Sequence, residues 1–217
     1  MFKKRIGITQ RVVKHSKYNE FMDCLDINWA KFLAKLEILP IPLPLMPTSL
    51  VENVWKTLKL DGLILSGGNT LSEYADKMDK SENISAERDA YEKALMKIAL
   101  KTHTPVLGVC RGLQIINVFY NGKLKKIKGH SGTRHPLKLE ASSNHFEIPK
   151  KVNSFHNYGV PRKYLGKGLK SFAHDKEDNI EAFYHLKDKL LAIMWHPERE
   201  IKPHKSDCKL IKNHFRI

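Results

Sequence analysis

The stretch Thr104-Pro105-Val106-Leu107-Gly108-Val109-Cys110-Arg111-Gly112-Leu113-Gln114 decides the fold. Pro105 follows a polar segment and opens a short apolar run, Val106 to Val109, that reads as a buried strand. From Arg111 the period changes, with Leu113, Ile116, Asn117 and Tyr120 at helical spacing. The arrangement is strand, tight turn, helix, with a sulfur at the turn. A nucleophile on such an elbow stands exposed above the sheet, and small neighbours, here Gly108 and Gly112, let backbone and substrate approach. The helix that follows points its N-terminus at the sulfur, which favours thiolate and presents backbone N–H groups to a developing oxyanion. Arg111 adds local positive charge. Taken alone, the pentapeptide reads equally well as a buried structural cysteine beside two turn glycines, because unpaired cysteines are often core.

The C-terminal third adds what a cysteine nucleophile lacks. Leu190-Leu191-Ala192-Ile193-Met194-Trp195 is a second apolar run, followed at once by His196-Pro197-Glu198. A strand end that delivers a histidine and then a carboxylate supplies a base and the group that orients it. Pro197 fixes the backbone between them. Upstream, Leu63-Ile64-Leu65 reads as another buried strand, and Ser66-Gly67-Gly68-Asn69 after it offers exposed N–H groups or an ordinary turn.

Four pieces now stand in order: Leu65-Ser66-Gly67-Gly68-Asn69, Gly108-Val109-Cys110-Arg111-Gly112-Leu113-Gln114, Asn153-Ser154-Phe155-His156 and Trp195-His196-Pro197-Glu198. Together they resemble class I glutamine amidotransferase-type domains, and within them the free-standing gamma-glutamyl hydrolases, over nearly the whole chain. The resemblance implies a flavodoxin-like three-layer α/β/α sandwich with a mostly parallel central sheet. It implies a Cys110–His196–Glu198 triad, with the Gly68 and Arg111 amides as oxyanion hole. It places Gly67, Gln114, Ser154, Phe155 and His156 against the glutamyl group, and Arg88 near the mouth of the site. It also implies a gamma-glutamyl amide as substrate, specifically a gamma-glutamyl phosphoramidate of cytidine diphosphate used in capsule synthesis. A gamma-glutamyl-aminobutyrate-type substrate, and glutamine serving a separate synthase, stand as alternatives. A non-catalytic binding protein on the same fold is a third reading, against which the joint presence of Cys110, His196 and Glu198 weighs.

Composition bounds the rest. A chain of 217 residues is expected to be one domain, spanning 1–217. Hydrophobic content of 41% and charged content of 28% fit a soluble globular protein. No apolar run reaches the roughly 20 residues of a membrane span, and Ile6-Gly7-Ile8 is too short for a signal-peptide core, so a cytoplasmic protein is expected. The three cysteines, Cys24, Cys110 and Cys208, form neither a paired framework nor a metal knuckle. The formal charge of +15 is spread along the chain, and no nucleic-acid-binding motif is visible. It reads as solvated surface, or as steering of an anionic small molecule, with Arg11, Lys17, Lys77 and Arg88 as candidate phosphate partners.

Along the chain, strands are expected near Ile6, Ile38, Leu63, Val106 and Leu191. From Glu20 to Leu36 the apolar residues Phe21, Leu25, Trp29, Phe32, Leu33 and Leu36 predict a helix. Four prolines between Pro40 and Pro47 allow only an edge-like strand. Leu50 to Leu58 predicts a short helix, and residues 70–84 a polar rim with Tyr74, Lys77 and Lys80. Ser85 caps a helix from Ala86 to Lys101, whose first-turn Arg88-Asp89 reads as a capping and surface pair. Lys123 to Lys128 suits an edge hairpin. His130, His135 and His145 read as surface or hydrogen-bonded residues, since no cysteine or carboxylate cluster completes a metal shell in the local sequence. No metal or cofactor is expected. The basic end, Cys208 to Ile217, predicts a short helix.

Overall fold

The computed structural model describes residues 1–75, 84–143 and 146–217. The first half runs β1 (Lys4–Thr9), β2 (Arg11–Lys14), β3 (Phe21–Cys24), α1 (Ile27–Lys35), β4 (Ile38–Leu43), α2 (Val51–Leu58), β5 (Gly62–Leu65) and α3 (Ala86–Lys101). Then come β6 (Val106–Val109), α4 (Arg111–Phe119), β7 (Lys125–Lys126), β8 (Ser131–Pro136), β9 (Lys138–Leu139), β10 (Lys151–Phe155) and β11 (Tyr158–Gly159). The chain closes with β12 (Lys170–His174), β13 (Ile180–His185), β14 (Leu190–Ile193) and α5 (Lys205–Phe215).

Eight strands form one sheet in the order β4-β1-β5-β6-β14-β13-β12-β9. From β4 to β14 every neighbouring pair is parallel, while β13, β12 and β9 extend the sheet antiparallel. The two-residue period of a strand divides the core. Along β14 and its continuation, Leu190, Ala192 and Met194 enter one apolar cluster with Trp55 of α2, Leu95 of α3 and Leu113 of α4. Leu191, Ile193 and Trp195 enter the other, with Phe32 of α1 and Ile211 of α5. The sheet is therefore covered on both faces, which is why its central strands read as continuous apolar runs rather than alternating ones. Among the described residues no helix is long and apolar enough to cross a membrane.

The sequence expectations hold for β1, β4 at the sheet edge, α2, β5, α3, β6, α4 and β14. The helix expected from Glu20 is corrected at its start. Phe21–Cys24 is a strand paired with Arg11–Lys14, and Phe21 is 63% exposed. The helix begins only at Ile27, where the Asp26 carboxylate accepts the Asn28 N–H at 2.9 Å. The lysine-rich segment is corrected too: Lys125–Lys126 pairs with the distant Tyr158–Gly159 instead of closing a local hairpin. Lys77, Lys80 and His145 lie outside the described residues.

Candidate active site

Because β1, β5, β6 and β14 run parallel and adjacent, their C-terminal ends open on one edge of the sheet, where open α/β sheets bind ligands. That edge receives Thr9, the loop Ser66–Asn69, Cys110 and, two and three residues past β14, Trp195 and His196.

Cys110 occupies the turn between β6 and α4 with φ 54° and ψ −105°, a conformation that side-chain-bearing residues rarely adopt. The strain is held in place from both sides. The Cys110 N–H donates to the Ile193 carbonyl at 2.9 Å, and the Cys110 carbonyl accepts the Gln114 N–H at 3.2 Å. The sharp turn brings α4 hard against β5: a Cβ on Gly112 would stand 2.0 Å from the Leu65 carbonyl oxygen, so no larger residue fits there.

His196 is presented by its own backbone clamp. The Asn153 side chain accepts the His196 N–H at 2.9 Å and donates to the His196 carbonyl at 2.8 Å, as a neighbouring strand would. The imidazole Nδ1 lies 2.6 Å from the Glu198 carboxylate, with both side chains buried. This hydrogen bond assigns the proton to Nδ1 and leaves Nε2 for the thiol. Gly67 closes the third side: a Cβ there would come within 2.6 Å of His196 Cε1 and 3.5 Å of Cys110 Cβ. Burial by itself would lower the His196 pKa; Coulombic attraction from Glu198 and Cys110, and hydrogen bonds to both, outweigh it and raise it to about 9.

The Ser66–Asn69 loop is shaped by Arg88. Its guanidinium donates to the carbonyls of Ser66 at 2.9 Å, Gly67 at 3.2 Å and Gly68 at 2.7 Å, and to Asn69 Oδ1 at 2.9 Å. In a trans peptide the carbonyl and the following N–H point opposite ways. Capture of the Gly67 carbonyl therefore turns the Gly68 N–H away from Arg88. Behind this loop Arg88 and Glu92 are bonded at 2.9 Å, and Arg111 is held by Asp89 and Glu92. Thr9 adds a 2.7 Å bond to Glu92, and Ser72 binds Asp89 through its N–H and hydroxyl. Two guanidinium groups face two carboxylates, so the buried set is charge-balanced. The reading of Arg88-Asp89 as a surface pair is corrected: Arg88 is 1% exposed and spends its donors on the loop, not at a mouth open to ligand.

The remaining sequence candidates divide. Arg11 lies against Gly68 and lines a small cavity with Ser66, Gly67, His196, Glu198 and Arg199. Phe155 is 43% exposed, its ring edge-on to His196 at 5.8 Å and beneath the Arg199 guanidinium at 4.6 Å. Gln114 is buried and donates to the Tyr158 carbonyl at 2.9 Å. Ser154 and His156 are buried with their side chains turned to other partners. The Ser154 hydroxyl donates to the His130 carbonyl at 2.6 Å, and His156 Nδ1 to the Tyr158 carbonyl at 3.0 Å. His130 and His135 also differ from the surface reading. With His156 and Glu181 they place four potential ligand atoms within 4.8 Å of one another. A larger cavity of about 560 Å³ lies at the opposite end of the strands, between Lys4, Pro105, Lys189 and α5, remote from Cys110.

Sequence reading missed Asn153, Glu92 and Glu181, and gave Arg88 a ligand-facing place that it does not occupy. Asn153 stood inside a quoted motif without a role. Arg88 and Glu92 were four apart on one helix face, a signal for an ion pair but not for its burial. Glu181 interrupts the apolar strand Ile180–Phe183, and an acid in such a run was the available sign of a buried polar cluster.

Known proteins give the same outline. The chain is 35% identical over 199 residues to the gamma-glutamyl-CDP-amidate hydrolase of Campylobacter jejuni, covering 90% of each chain. It is 31% identical over 174 residues to a glutamine amidotransferase-like protein of Lactococcus lactis, covering 71% of this chain and 73% of the other. A glutamine amidotransferase structure from Thermotoga maritima superposes with a TM-score of 0.62 at 14% identity, over 98% of this chain and 84% of that one, which speaks to the fold. With its family model matching residues 5–198, the chain belongs to the Peptidase C26 family of class I glutamine amidotransferase-like proteins.

Proposed function

We propose that this chain is a cysteine hydrolase that cleaves a gamma-glutamyl amide and releases glutamate through a thioester. The observation that carries the proposal is the convergence of Cys110, His196 and Glu198 at the strand ends, with His196 Nδ1 2.6 Å from the Glu198 carboxylate and Gly67 packed against both the imidazole and the cysteine. Similarity to the gamma-glutamyl-CDP-amidate hydrolase supports the glutamyl part of the substrate.

The chemistry follows from the charges. With its pKa raised to about 9, His196 is protonated at neutral pH and holds the proton that the leaving nitrogen will need. The Cys110 sulfur attacks the γ-carbonyl. The Gly68 N–H and the Arg111 N–H, one of the first amides of α4 and so without an intrahelical acceptor, stabilise the oxyanion. His196 gives its proton to the leaving nitrogen as the carbon–nitrogen bond breaks, leaving a glutamyl thioester on Cys110. Neutral His196 then takes a proton from water, the hydroxide attacks the thioester, and glutamate leaves as the thiolate reforms. Glu198 holds the ring and stabilises its charged form throughout.

In this reading kcat/KM falls above about pH 9, as the imidazolium that serves as acid is lost. Glu198→Gln removes the leading influence that raises the His196 pKa. Its alkaline limb is expected to move down toward the ordinary imidazole value of about 6.5. A pH–rate profile of glutamate release checks this, and an unmoved limb would remove His196 from the acid role.

For the leaving group we propose a nucleoside diphosphate amidate. A net charge of +15 favours an anionic substrate, Arg11 lines the cavity beside Gly68, and Lys17 lies in the turn that follows the strand Arg11 begins. The test is glutamate release from gamma-glutamyl-CDP-amidate, gamma-glutamyl amines and glutamine. The highest kcat/KM is expected on the nucleotide amidate. Equal rates on all three sink the nucleotide preference, and a preference for glutamine that rises with a synthase partner replaces it with an ammonia-supplying role.

A further inference from the structure

Beyond the Cys110, His196 and Glu198 side chains, three imidazoles and a carboxylate meet in the interior. His130 precedes β8, His135 lies on β8, His156 follows β10 and Glu181 lies on β13. His135 Nε2 stands 3.7 Å from one Glu181 oxygen, and His156 Nε2 stands 3.7 Å from the other. All four of these atoms are sealed from solvent and have no hydrogen-bond partner among the described residues. Buried polar atoms of native proteins are nearly always satisfied, so four orphans facing one another need a common partner. A shared proton does not provide it, because 3.7 Å is beyond hydrogen-bond reach.

The imidazole tautomers say what the partner is. His135 Nδ1 lies 3.2 Å from the Pro136 carbonyl and His156 Nδ1 lies 3.0 Å from the Tyr158 carbonyl. Each ring gives its Nδ1–H to a backbone oxygen, which leaves an Nε2 lone pair aimed at a Glu181 oxygen. Lone pairs directed at a carboxylate repel it unless a cation stands between them. The same outer bond to a carbonyl or carboxylate is what orients a metal-bound histidine. His130 has its counterpart in Asp175, whose carboxylate is 3.3 Å from His130 Nε2 and is itself held by the Asn179 N–H and side chain.

We propose that His130, His135, His156 and Glu181 bind one zinc ion in a closed, four-coordinate site. Three neutral nitrogens and one carboxylate oxygen suit a borderline divalent metal rather than calcium or magnesium. Bonds of about 2.0–2.1 Å around a tetrahedron set neighbouring ligands about 3.4 Å apart, against 3.7 Å from each Glu181 oxygen to its own histidine and the 4.8 Å that encloses all four ligand atoms. With four protein ligands and almost no solvent access, the ion is structural. It ties the β8–β10 ribbon to β13 of the main sheet. Since β10 carries Asn153, the ion braces the strand that clamps His196.

The test begins with metal content. Full-length protein produced with zinc in the medium and then dialysed is expected to carry about one zinc per chain by elemental analysis. Stripped protein reloaded with Co²⁺ should show the visible absorption of four-coordinate cobalt. Glu181→Gln and His135→Ala should each lose most of that signal, with circular dichroism reporting whether they fold. Cys110→Ala should keep both zinc and cobalt signals, which separates this site from adventitious binding at the thiol. Folded wild-type protein that takes up neither zinc nor cobalt overturns the proposal. So does metal that disappears with Cys110 and survives the loss of Glu181.

Discussion

Cys110→Ala is expected to lower glutamate release by about 10⁴-fold or more, because it removes the nucleophile while leaving only binding and the oxyanion donors. The fold should survive. The side chain is small and buried, alanine accepts the same volume, and the turn is held by backbone bonds to Ile193 and Gln114 that the substitution does not touch. Cys110→Ser should be nearly as slow. A serine hydroxyl is far less acidic than a thiol and its oxygen is the weaker nucleophile. The two other cysteines, Cys24 and Cys208, are half-buried and open to alkylation, so bulk thiol counting does not report the site. Peptide mapping after iodoacetamide, with and without a glutamyl ligand, reads Cys110 alone. Wild-type turnover in Cys110→Ala would dismiss the covalent route.

That such a variant can be chosen from sequence reflects how local the elbow is. Gly108, Cys110 and Gly112 fall within five residues, and the switch from a run of apolar residues to helical spacing occurs inside the same segment. The His196–Glu198 pair is equally local. The rest of the site was illegible for a common reason: its partners come from far along the chain. Arg88 looks like any first-turn charge until Arg111 and Thr9 are brought to Glu92. His130 and His135 lack a shell until β13 delivers Glu181 and the end of β10 delivers His156. The Phe21 error has a different cause. Phe21 and Leu25 are four apart, matching the period of the true helix, but Asp26 with its side-chain bond to Asn28 marks the start five residues later. The cap was the better signal and the apolar period the weaker one.

Arg88 is where fold and chemistry are most tightly joined, and its substitution should show both. Arg88→Ala leaves the loop carbonyls of Ser66, Gly67 and Gly68 without their shared donor and leaves Arg111 facing two buried carboxylates alone. Breaking one side of a buried ionic set costs about 3–5 kcal/mol, so this variant should unfold at markedly lower denaturant. Arg88→Lys separates the two effects. It keeps the positive charge opposite Glu92, but an ammonium cannot span three carbonyls and Asn69 as the planar fork does. The lysine variant should therefore fold with a smaller loss of stability, while the Gly67–Gly68 peptide is freed to rotate and its N–H no longer meets the oxyanion. Losing one such donor lowers kcat by about 10²–10³ and leaves KM nearly unchanged, since the bond strengthens only as charge develops. A folded Arg88→Lys protein with wild-type kcat would show that Arg88 supports the fold without aiming the loop. A loss confined to kcat would mark it as a positioning residue acting through the Gly68 amide.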